Sequence, residues 1–91
     1  MDISKVLTIS IAHITKETDN ELQHNPDKFE ELFYYNEDWW GYMMQIPPHT
    51  TLEDIPEDLR MCIELARQND CEWLQLDCDA EEVPELPTYD W

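Results

Sequence analysis

Twenty-two carboxylate side chains stand against five cationic ones in a chain of 91 residues, and that imbalance limits the folds open to it. Lys5, Lys16, Lys28, Arg60 and Arg67 are too few to pair more than a fraction of the acids. Nearly every carboxylate must therefore reach water, and the interior is left to apolar side chains. Hydrophobic residues make up 42% and aromatics 11%, enough for a core, so disorder describes the chain poorly. The length fits one small domain, which buries roughly 60–65% of the surface its unfolded chain exposes. The net charge of -17 works against compaction through self-repulsion, and salt relieves part of it.

The same charge excludes partners. Direct binding to DNA, RNA or an anionic membrane is opposed by like charge. A basic protein partner is the natural complement, with plain solubility as the alternative reason for the acids. Cys62, Cys71 and Cys78 are odd in number and form no CxxC, so reduced thiols in a cytoplasm are expected. The opening MDISKVLTIS has no basic region followed by a long apolar run, which argues against a signal peptide. No apolar run approaches the roughly 20 residues of a membrane span.

Along the chain, residues 3–11 alternate as a strand, with Leu7, Ile9 and Ile11 on one face. Residues 15–24 suit a polar helix, broken at Asn25-Pro26. Residues 27–33 read as either helix or strand, and residues 32–35 are predicted as a strand on aromatic content. A turn at 36–38 leads to a returning strand over 39–46, ended by Pro47-Pro48. The spacing of Leu59, Cys62, Ile63 and Ala66 predicts a helix over 56–69. Residues 72–78 form the last strand, and 79–91 an extended acidic tail docked on the body through Tyr89 and Trp91. The expected fold is a single α+β domain over residues 1–91. Its order is βαββαβ, with an antiparallel sheet of the ferredoxin-like kind, two helices and the tail; another α+β sheet fits the same order.

The segment EDWWGYMMQIPP gathers two tryptophans, a tyrosine and two methionines around the only glycine. As a strand it turns Trp40, Tyr42, Met44 and Ile46 to the core and Trp39, Gly41 and Met43 to the other side. Gly41 leaves a gap where a neighbouring group can approach closely. Trp39, Tyr42 and Met43 are the aromatic candidates for a partner surface; that face, or an exposed sheet edge, would also permit a homodimer.

Catalytic signals are missing. His13, His24 and His49 share no motif with any cysteine, and the chain holds no phosphate-binding glycine loop, nucleophile elbow or zinc motif. His13 is expected to be a hydrogen-bonded structural histidine. Asp77-Cys78-Asp79 with Glu81 and Glu82 offers hard-cation ligands, but lacks calcium-loop spacing. No enzyme activity, cofactor or metal is expected. The acids instead suggest a surface: Glu53, Asp54, Glu57 and Asp58 at a helix start, and Asp77, Asp79, Glu81 and Glu82 at a strand end. If these clusters converge, they approach the linear charge density of DNA.

Five segments together carry a resemblance: MDISKVLTIS with His13-Ile14-Thr15, Trp40-Gly41-Tyr42, Ile55-Pro56-Glu57-Asp58-Leu59, Cys71-Glu72-Trp73-Leu74, and the ending Leu86-Pro87-Thr88-Tyr89-Asp90-Trp91. The chain resembles a family of small acidic proteins of unknown function from bacterial plasmids and phage-like elements. That resemblance implies no catalytic residues. It implies a mobile-DNA setting, where acidic anti-restriction and anti-CRISPR inhibitors imitate DNA. Two functions follow as expectations. One is a cytoplasmic nucleic-acid mimic that occupies the basic groove of a bacterial defence complex. The other is a non-enzymatic, antitoxin-like or regulatory module gripping a partner through the aromatic hairpin.

Overall fold

A computed structural model describes residues 3–29, 32–36, 41–46 and 53–91. The elements follow the predicted order: β1 (Val6–Ser10), α1 (Lys16–His24), β2 (Phe33–Asn36), β3 (Gly41–Gln45), α2 (Glu57–Gln68) and β4 (Trp73–Asp77). Short 3-10 turns, Ile11–His13 and Pro26–Phe29, precede and follow α1. The second answers the start of the ambiguous stretch before β2: Pro26 opens a single turn that buries Phe29. Trp39, expected in the returning strand, lies outside the described residues.

The four strands form a mixed sheet in the order β1-β4-β3-β2. This corrects the antiparallel, ferredoxin-like arrangement expected from the element order. In a split βαβ the parallel strands of each half are separated by a strand of the other. Here β3 and β4 pair directly and antiparallel, Tyr42 opposite Leu76 and Met44 opposite Leu74. Gly41 permits that closure. It sits at φ +146°, and a side chain there would strike the Leu76 carbonyl oxygen of β4. With no room between β3 and β4, β1 pairs outside β4, parallel to it. The gap read at Gly41 is thus filled by a neighbouring strand's backbone.

One face of the sheet carries Leu7, Ile9, Tyr42, Met44, Leu74 and Leu76 into the single core. Both helices cover this face. The Tyr34 hydroxyl donates to the Leu22 carbonyl of α1, and α2 buries Leu59, Cys62, Ile63 and Ala66 with the predicted spacing. The other face presents Val6 and Tyr35, 41% and 50% exposed, with half-buried Met43 and Trp73. Among the described residues no helix lies across it.

Local chemistry fixes the helix ends. Thr15 caps α1, its hydroxyl oxygen accepting the Thr18 N–H at 3.2 Å. Helix α2 closes in a Schellman motif, with the Cys71 N–H on the Ala66 carbonyl and the Asp70 N–H on the Arg67 carbonyl. Asp70 takes the left-handed position at φ 57°, a site glycine usually fills. No helix among the described residues is long and apolar enough to cross a membrane.

Candidate acidic interface

Strands β1 and β4 finish side by side, with Ser10 paired to Asp77. The chain then turns through Ile11–His13 into the first turn of α1. Helix α2 begins at the same end, because Asp58 in its first turn reaches α1. One Asp58 carboxylate oxygen accepts the Thr15 N–H at 2.7 Å and the other the Thr18 hydroxyl at 2.9 Å. Two positive helix ends and two strand ends thus share one pole, where dipoles favour carboxylates.

The tail follows the same connection. The Ser10 N–H donates to the Glu81 carbonyl at 3.0 Å, and the Tyr89 N–H to the Ala12 carbonyl at 2.9 Å. The Trp91 indole N–H donates to the Ile14 carbonyl at 2.9 Å. Residues 81–91 therefore form a strap over residues 10–15. Its apolar anchor is Leu86, which is buried; Trp91 is held by its N–H while 51% exposed. The sequence pointed to Tyr89 and Trp91 as the anchors and not to Leu86, since one leucine between two prolines gives no periodicity.

Each predicted acidic cluster is tied to this end at one point, through Asp58 on Thr15 and Thr18 and through the Glu81 carbonyl on Ser10. Glu53 and Asp54 lie exposed in the turn before α2, which buried Ile55 ties to the core, and Glu57 is exposed in its first turn. Asp79, Glu81 and Glu82 are exposed from the end of β4 into the strap. Half-buried Asp77 accepts the Asp79 N–H at 2.8 Å, which shapes the turn. Asp90 is exposed beside Tyr89, whose phenol is pushed up by burial and then by the charges of Asp58 and Glu57. Three of the five cations lie toward the opposite end: Lys5 bonds the Asn69 carbonyl after α2, Arg67 is in its last turn, and Lys28 pairs with Glu21 after α1.

Two predicted site residues have other duties. Asp58 is only 8% exposed and spends both oxygens on α1, so it is a cap and not a free surface charge. Tyr42 is a core residue whose hydroxyl donates to the Asp19 carboxylate at 2.7 Å. Burial and then that carboxylate raise its phenol far above the usual tyrosine range. Met43 remains half-exposed on the outer sheet face. The ligand atoms of Asp77, Cys78 and Asp79 lie within 4.8 Å of one another, on an open turn with Asp79 and Cys78 exposed.

Cys62 is fully buried on the inner face of α2. Burial, and next the charge of Asp58, push its thiol up to about 12 from an ordinary 9.0. The unfolded thiol ionises from its ordinary value upward while the folded one stays protonated. The stability tied to this burial is therefore complete below about pH 9 and is lost as pH rises toward about 12, by up to roughly 1.4 kcal/mol per pH unit. Tyr42 acts with the same sign at higher pH. Urea midpoints at about pH 8 and about pH 10.5 should fall more for the native chain than for Cys62→Ala.

The model of the C-terminal domain of DUF5983, a family of unknown function, matches residues 6–91. The chain belongs to the DUF5983 family. The matched region takes in the whole sheet, both helices and the strap, so the acidic pole lies within the family's domain. No curated protein and no solved structure matches the chain.

Proposed function

We propose that this DUF5983 domain is a non-enzymatic inhibitor that presents its acidic pole to a Lys/Arg-lined groove built for nucleic acid. The observation that carries this reading is that one member of each acidic cluster, Asp58 and Glu81, bonds to residues 10–15 near the positive ends of two helices. A groove that holds phosphates would accept carboxylates at that density, release counterions and gain fast, steered encounter. The resemblance to proteins of mobile elements suggests a bacterial defence complex of the CRISPR or restriction kind as the target. A cytoplasmic site of action suits three free cysteines.

Capture of partners from a lysate that contains such systems, washed at stepped salt and challenged with DNA, tests the reading. A nucleic-acid-binding complex should be held and then released by both salt and DNA. Reversal of Glu53, Asp54 and Glu57 to lysine, or of Asp79, Glu81 and Glu82, should slow association at least about tenfold and flatten its salt dependence. Binding that survives both reversals sinks the proposal.

A second reading rests on the sheet face with Tyr35, Met43, Trp73 and Val6, which no helix among the described residues covers. Exposed aromatics and methionine suit an antitoxin-like or regulatory contact. In the same capture, a partner indifferent to salt and DNA but lost on Met43→Ala or Tyr35→Ala would favour it.

A further inference from the structure

His13 is 1% exposed, yet both of its ring nitrogens are engaged, and both partners belong to the strap. Nδ1 lies 2.8 Å from the Pro87 carbonyl oxygen. The Val83 N–H points at Nε2 from 2.9 Å. A carbonyl only accepts and a backbone N–H only donates, so the partners dictate the tautomer. The proton sits on Nδ1, and the Nε2 lone pair holds Val83. Five residues of chain, Val83 to Pro87, are looped over one imidazole, with Leu86 buried between the two bonds.

We infer that His13 is a proton-operated latch for the C-terminal strap. A proton placed on Nε2 removes the acceptor and sets an N–H against the Val83 N–H. The strap and the proton compete for one lone pair. Acidification through the range in which histidines ordinarily change charge should therefore release Val83, and with it the segment that carries Glu81, Glu82 and Glu85. The latch concerns the strap alone and stands whether or not the pole binds a nucleic-acid groove.

The surrounding groups set the balance. From α2 come the Cys62 thiol, 3.9 Å from the His13 carbonyl oxygen and protonated throughout this range, and Asp58, tied to Thr15 and Thr18. The strap carries the exposed Glu82 and Glu85 and the neutral Tyr89, and Asp77 at the end of β4 pairs with Ser10. Lys16 and Glu17 are exposed at the start of α1, and Arg60 follows the first turn of α2.

Amide hydrogen exchange on the full chain tests it, with each protection factor divided by that of Leu76 in the central strand β4. In the native protein the ratio for Val83 should fall at least about tenfold between about pH 7.5 and about pH 5, in step with conversion of the ring to imidazolium seen by nitrogen-15 shifts. In His13→Gln, which keeps a neutral acceptor, the ratio should stay flat. An imidazolium with Val83 still protected, a ring that stays neutral at about pH 5, or the same loss in His13→Gln each overturns the latch. If the glutamine variant does not fold, the native ring and the Val83 amide moving together or apart decide the matter alone.

Discussion

Gly41→Ala is expected to unfold the domain. The position combines a backbone angle that side chains rarely adopt, φ +146°, with the Leu76 carbonyl of the adjoining strand where a Cβ would sit. Backbone strain alone costs about 1–3 kcal/mol, and the clash falls on main chain, which cannot swing aside as a side chain can. A domain has only about 5–15 kcal/mol in total, and a small one buries proportionately little surface. Circular dichroism of Gly41→Ala should show no cooperative transition. A normal urea midpoint would mean that β3 and β4 do not approach in the register that sets Gly41 opposite Asp77.

Asp58→Ala should be nearly as damaging, with a loss of about 3 kcal/mol. The substitution leaves the Thr15 N–H and the Thr18 hydroxyl without their acceptor in a buried place, at roughly 1–3 kcal/mol each before relaxation. Thr15 is itself the cap of α1, so the damage reaches that helix. Asp58→Asn keeps one oxygen and should lose about half as much. Glu57→Lys, one residue away on the surface, should shift the urea midpoint little. Equal losses at both positions would show that charge, and not the cap, sets the stability of this corner.

Much of the fold was legible because its signals are local. The apolar spacing of α2 and the alternation of β1 and β4 were each written within a dozen residues. The strand order was not, because it turns on a non-local fact: Gly41 admits the Leu76 carbonyl and so seats β4 beside β3. The acidic candidates divided in the same way. Glu57 and Asp58 are adjacent in sequence and read alike, yet helical rotation sends one to water and the other inward to Thr15. Tyr42 read as both core and contact surface, and its bond to Asp19 places it in the core. The two-sided grip of the strap on His13 joins residues some seventy positions apart, which no periodicity records.

The parallel pairing of β1 with β4 also orders events in time. Thr8 and Gln75 bond across 67 residues of chain, so the first of these four strands has its partner in the last of them. Loop closure of that length is slow, and β1 has no other neighbour among the described strands. While the chain leaves the ribosome, Leu7 and Ile9 must wait without a sheet until residues 73–77 emerge. A message cut short, or a stop before Trp73, leaves no smaller version of this domain, only an acidic fragment with bare apolar strands for proteases to clear.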